Sequence, residues 1–315
     1  MMTMNNILEN IYKIKPKHIN LYFFSKSKNR NEYNVFSTNI GNLDIVSEIK
    51  NAIHNQIHNY LVDDETENPI DYNPIIEDKN IVQKIECNEI NLLPQFIEDL
   101  EREPVLYNQT KLKKGHSLWL IAIMMDDGEN KILAFQKIRN KTFLENKKIN
   151  LCIDNKIEKF DKPLLPLENK IDCICSLKNK SFMYIFNKYY FEQIFGFEEK
   201  FKSEIKEKLE ELKNNNDESL VKLDVDELYS KIENNQRSLK KLYVILHNNN
   251  FKYLTEENMQ KIEYKSENIK FNRSNGKLHL NEYEDIKKIL NLLNDDYLEG
   301  ILSQKPFRTS NKMDL

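Results

Sequence analysis

SLWLIAIMM (117–125), DDGEN (126–130) and KILAFQKI (131–138) decide how this 315-residue chain folds. Two apolar runs of strand length flank five residues of turn-forming composition. A glycine follows two aspartates there, which is a hairpin signature. Short polar connections of this kind favour antiparallel pairing, because parallel strands need a crossover of a dozen residues or more. Leu118–Met125 is the longest apolar run in the chain. It falls far short of the roughly 20 residues needed to span a bilayer.

Moving outward, Lys148–Ile153, Ile171–Leu177 and Ser181–Asn187 are further candidate strands. Upstream, His18–Ser25 and Tyr33–Ile40 flank a polar KSKNRNE loop and read as a second hairpin. Leu43–Leu61 changes period: Ile45, Ile49, Ile53, Ile57 and Leu61 recur every fourth residue, as on one helix face. Leu92–Leu100 reads as a short helix. Lys188–Lys213 reads as a longer one, interrupted or kinked near Gly196. KNNNDES (213–219) has linker composition. Helical patterns follow at 224–234, 237–248 and 255–263, then a hairpin signal around Arg273–Gly276, then an amphipathic helix over Asn281–Asn294. The expected architecture is α+β: a largely antiparallel sheet with packed helices over 1–213, and a mostly helical C-terminal region with a small hairpin over 214–315.

The six glycines are isolated from one another. Dinucleotide-binding turns and phosphate-cradling P-loops need several glycines within a few residues, so these nucleotide-binding classes are excluded. No Gly-x-Ser-x-Gly elbow is present for a serine hydrolase. His54 and His58 stand four apart on the expected helix without an intervening catalytic glutamate, and read as polar surface histidines. Cys173 and Cys175 alternate onto one strand face and read as core. Trp119, mid-strand, also reads as core. A metal-dependent nuclease is the alternative enzymatic reading. Asp126 and Asp127 with Glu145-x-Lys147 carry it, since paired carboxylates and a lysine hold Mg²⁺ and position water. A chain this rich in Glu and Lys generates several Glu-x-Lys matches by chance. No catalytic residue, cofactor or metal is therefore assigned.

The net charge of −3 conceals segregation. Residues 62–103 hold thirteen acidic against three basic residues, and 131–162 hold nine basic against four acidic. Lys178, Lys180 and Lys188 follow with no acid between them, and 236–279 are again nine basic to four acidic. Lysine-rich strand ends bind phosphate backbones by counterion release, with little sequence preference. The acidic segment would shield that surface or dock a basic partner. A leader segment is not expected at MMTMNNILEN, and a cytoplasmic location is.

ILAFQKIRN with Phe135 and Lys137, the Phe160–Asp161 pair, SFMYIFNKYYFEQIFGFEEKF and the terminal LLNDDYLEGILSQKPFRTSNKMDL resemble the KwaB-like family of the Kiwa anti-phage system. The likeness runs from about residue 110 onward. The tail departs from the pattern at Gly300-Ile301 and Asn311, so no role is carried over for its Ser and Lys. The resemblance implies a bacterial defence protein that binds DNA, forms a homodimer and works with a small membrane-embedded partner, KwaA, which would recruit it to the inner membrane. Together the charge pattern and the resemblance make Lys137, Arg139, Lys141, Lys147, Lys148, Lys178 and Lys180 the candidate DNA contacts, with Arg308 and Lys312 on the tail.

Overall fold

A computed structural model describes residues 3–27, 33–38, 43–62, 69–76, 81–102, 104–106, 116–138, 150–153, 157–160, 170–178, 182–213, 222–265, 269–299 and 306–308. The chain divides into two compact units, Met1–Tyr72 with Lys79–Phe195, and Asn73–Asp78 with Gly196–Leu315.

In the first unit, α1 (Met4–Lys13) opens on a capping box. The Thr3 side chain accepts from the Asn6 N–H, and the Asn6 side chain accepts from the Thr3 N–H. Strands β1 (Ile19–Ser27) and β2 (Tyr33–Thr38) form the expected hairpin. Helix α2 (Leu43–Val62) carries the four-residue repeat. The acidic stretch contributes β3 (Ile70–Asp71), β4 (Gln83–Glu86) and α3 (Leu93–Glu101). The central hairpin follows as β5 (His116–Asp126) and β6 (Lys131–Lys137). Then come β7 (Asn150–Ile153), β8 (Ile157–Phe160), β9 (Cys173–Ser176), β10 (Phe182–Ile185) and α4 (Lys188–Ile194).

The main sheet has the order β2-β1-β5-β6-β9-β10-β4-β3. Its pairs are antiparallel except β3 with β4. The strand expected at 148–153 does form, as β7, but it pairs with β8 in a separate two-stranded sheet. The hairpin turn between β5 and β6 is built by its own aspartates. Asp127 Oδ1 accepts the N–H groups of Glu129 and Asn130 at 3.0 and 2.7 Å, and Gly128 takes φ +87°, a region open to residues without a Cβ.

Alternation along the strands buries both sheet faces. On one, Ile7 and Ile11 of α1 and Ile49, Ile53 and Ile57 of α2 cover Leu21, Ile121, Ile123, Ile132 and Ala134. Gln56 fixes α2 to the sheet margin: its Nε2 donates to the Ile171 carbonyl at 3.0 Å, and its Oε1 accepts the Ile171 N–H at 2.7 Å. The other face is aromatic. Phe96 of α3 meets the rings of Phe24, Tyr33, Trp119, Phe135 and Phe195 at centroid distances of 5.1–6.4 Å. Such offset and edge-on contacts add to the area they bury.

Gly196, at φ +66°, separates α4 from α5 (Phe197–Lys213), so the expected kink is a full break. The second unit continues through α6 (Val225–Ile232), α7 (Gln236–His247), α8 (Glu256–Lys265), β11 (Arg273–Ser274), β12 (Lys277–Leu278), α9 (Tyr283–Leu293), β13 (Tyr297–Glu299) and β14 (Pro306–Arg308). Buried side chains of α5, α7 and α9 supply its core, including Phe201, Ile205, Leu242, Ile245, Ile286 and Leu290. Lys241 donates to the buried Asp296 carboxylate and, at 2.6 Å, to Asn291.

Candidate nucleic-acid interface

Two candidate contacts, Lys137 and Lys178, have described side chains. They lie at opposite ends of β6. Lys137 closes that strand. Leu177, next to Lys178, donates its N–H to the carbonyl of Lys131 at the strand's start. Six strand residues separate the two ends by about 20 Å.

The two ends differ in charge. At the turn end, Lys131 is neutralised by Glu101 of α3 at 2.6 Å and approached by Asp126 at 3.8 Å. Glu101 belongs to the acidic segment, so that segment does shield basic charge at this point. Lys178 is exposed there and donates to the Glu129 carbonyl at 2.5 Å, not to a carboxylate. At the far end neither Lys26 nor Lys137 ion-pairs with a described carboxylate. Both instead approach Trp119, with Nζ 5.5 Å (Lys26) and 4.6 Å (Lys137) from the ring centroid.

The strand order explains this meeting. β1 and β6 flank β5, and Lys26 continues the side of β1 that carries Tyr22 and Phe24. The β1–β5 register pairs Phe24 with Leu120 but Ser25 with Leu118, so Trp119 is the extra residue of a bulge. Bulges re-aim side chains and cluster near functional sites. Trp119 keeps 9% of its surface, and its buried Nε1 has no hydrogen-bond partner among the described residues. A base cannot stack on a ring so covered, which removes the usual aromatic platform for single strands. Beneath Lys137, the buried Asp172 carboxylate accepts its backbone N–H at 2.6 Å. Burial pushes the Lys137 ammonium down to about 8; the Lys26 charge acts in the same direction and Asp172 opposes it.

Three of the nine basic residues in the second unit's stretch are paired internally. Arg273 binds Glu256 at 2.9 Å and Glu263 at 2.7 Å, Lys261 binds Glu257 at 2.6 Å, and Lys241 holds Asp296. The basic count over 236–279 therefore overstates the positive surface. Arg139, Lys141, Lys147, Lys148, Lys180 and Lys312 lie outside the described residues, as do Glu145 and the Phe160–Asp161 pair's Asp161. Arg308 stands in β14, its side chain likewise outside the description.

Asp126 and Asp127, the carboxylates of the nuclease reading, serve the hairpin turn: Asp126 accepts the Gly128 N–H at 2.9 Å. Among the described residues, no cluster of three His, Cys, Asp or Glu side chains could hold a metal ion. His54 and His58 stack with ring centroids 6.2 Å apart. Cys173 and Cys175 are buried on β9, and burial pushes the Cys173 thiol up. Among the described residues, no helix is long and apolar enough to cross a membrane.

Lys26 was invisible to sequence reasoning because it looks like part of a polar loop. The available signal was its two-residue spacing from Tyr22 and Phe24.

The fold and site define an α+β protein with lysines at both ends of the central strands of one mostly antiparallel sheet. The model of the family described as "Kiwa protein KwaB-like" matches residues 116–303. The chain belongs to the KwaB-like family, a component of the Kiwa anti-phage defence system. No curated protein and no solved structure matches it significantly.

Proposed function

We propose that this chain is a non-enzymatic DNA-binding effector of Kiwa defence. It holds DNA through lysines of the first unit and acts as a homodimer with a KwaA-like membrane partner. The observation that carries the DNA reading is the polarity of β6. One end is neutralised by Glu101, and the other presents Lys26 and Lys137 without an ion-pair partner among the described residues. The ends of β6, about 20 Å apart, fall within one helical turn of a duplex, about 34 Å. These two lysines thus suit separate phosphates along a duplex. Contacts of this class fix position and carry little sequence information. The turn-bound Asp126 and Asp127 count against the nuclease alternative.

Two unrelated duplexes of equal length in a gel shift test the reading. Similar shifts for both, with the DNA recovered intact after incubation with Mg²⁺ or Mn²⁺, are expected. No shift, or cleavage, overturns it. Co-purification with the membrane partner, followed by light scattering of the released protein, tests the partner and the dimer.

A further inference from the structure

We propose that Lys26, Trp119 and Lys137 form a site for a phosphate-class anion, bound by two ammonium groups and the indole N–H. The inference deepens the DNA reading and rests on it for the source of the anion, a backbone phosphodiester. A free phosphate or a mononucleotide carries the same chemistry.

Three observations converge. First, two cations from strands on either side of β5 face the same ring, at 4.6 and 5.5 Å from its centroid, and like charges do not gather without a counter-charge. Second, the nearby acid is Asp172, whose Oδ2 is engaged by the Lys137 N–H. Among the described residues, one negative charge against two positive leaves an excess. Third, the indole N–H belongs to a ring that is nine-tenths buried and lacks an acceptor among the described residues. An orphaned buried donor is costly and marks a place where a partner is missing. Indole is a donor only, and an ammonium has three donors and no acceptor. All three groups thus demand an acceptor-rich, negatively charged ligand. Phosphate oxygens answer that demand with charge-assisted hydrogen bonds, which are the strong kind. The bulge at Trp119 is what turns this ring toward both neighbours instead of leaving it in the register of β5.

Titration sharpens the proposal. The groups facing Lys137 are Lys26 from β1 and Asp172 ahead of β9, with the uncharged Trp119 ring centroid 4.6 Å from its Nζ. Lys137 loses its proton near pH 8, whereas an ordinary surface lysine holds it beyond pH 10. Protonated Lys137 falls about tenfold in population between pH 7 and 9, and anion affinity falls with it.

The chain holds a single tryptophan, so its intrinsic fluorescence reports this site directly. The experiment titrates the full-length protein with inorganic phosphate, a 5′-mononucleotide and a short DNA duplex, at constant ionic strength held with chloride. The site predicts a saturable change in Trp119 emission with at least one of these. It also predicts loss of that change in Lys26→Gln, and retention without the pH 7–9 dependence in Lys137→Arg. A response to duplex alone assigns the anion to the DNA backbone; a response to phosphate or mononucleotide assigns it to a free ligand. A duplex that binds in a gel shift without altering Trp119 emission, with phosphate and mononucleotide also silent, overturns the site and leaves the DNA reading standing. Emission that responds to phosphate when no duplex binds does the reverse.

Discussion

Replacing Lys137 by Met should stabilise the protein at neutral pH. The ammonium is pushed from 10.5 to about 8 chiefly by burial, a difference that corresponds to about 3 kcal/mol of cost for holding the charge in place. The Trp119 face returns about 0.5–1 kcal/mol of that through cation–π attraction. Met keeps the unbranched stem and places a thioether, itself a favourable neighbour for aromatic rings, against Trp119. The net expectation is a gain of about 1–3 kcal/mol at pH 7. Its pH dependence has a definite sign. Below pH 8 the lysine is charged in both folded and unfolded chains, so the cost is fully present. As pH rises through 8 toward 10.5 the folded form sheds its proton first, and wild type recovers stability relative to the variant. The gap should therefore close between pH 8 and 10.5. Urea unfolding followed by Trp119 emission, which reports the first unit, measures it at pH 7, 8, 9 and 10; other titrating groups cancel in the difference between the two proteins. A variant less stable than wild type at pH 7, or a gap unchanged to pH 10, refutes the reasoning.

Other substitutions test the frame around the site. Lys241→Met takes the only ammonium among the described residues away from the Asp296 carboxylate, 1% exposed, which keeps the Asn294 amide at 2.6 Å, and should cost about 3–5 kcal/mol by urea unfolding monitored by far-ultraviolet dichroism. Adding Asp296→Asn should recover most of the loss. Gln56→Leu removes both hydrogen bonds to Ile171 and leaves that buried N–H and carbonyl without them, so a loss of about 2 kcal/mol is expected in the same assay. Gly196→Ala places a Cβ at φ +66° and should cost about 1 kcal/mol or more; an unchanged midpoint would show that the break between α4 and α5 does not depend on glycine.

Most of the frame was legible because apolar period and turn chemistry agree along the chain. The β5–β6 hairpin, α2, and the break at Gly196 are cases where propensity and tertiary structure point the same way. Helix α1 and strands β3 and β4 were not anticipated: the first is short and asparagine-rich, and the other two lie in a stretch whose acidic composition reads as loop. Strand β7 was legible as a strand, but its partner was not, because pairing is decided by tertiary contacts that local alternation does not encode. The same limit governs the site. Charge counts located a basic stretch around Lys137, yet they could not reveal that Glu101 cancels Lys131 or that Lys26 crosses from another hairpin. A one-residue bulge sets Trp119 against two lysines, and nothing in the local sequence marks it.

The central claim is that DNA is held by phosphate contacts from these lysines, and the salt dependence of affinity tests it most directly. The logarithm of the association constant for a duplex should fall linearly with the logarithm of salt concentration. The double variant Lys26→Gln, Lys137→Gln should flatten that slope by about 0.9, the value for the one phosphate contact that the two lysines share. An affinity indifferent to salt, or a slope that the double variant leaves unchanged, would contradict it.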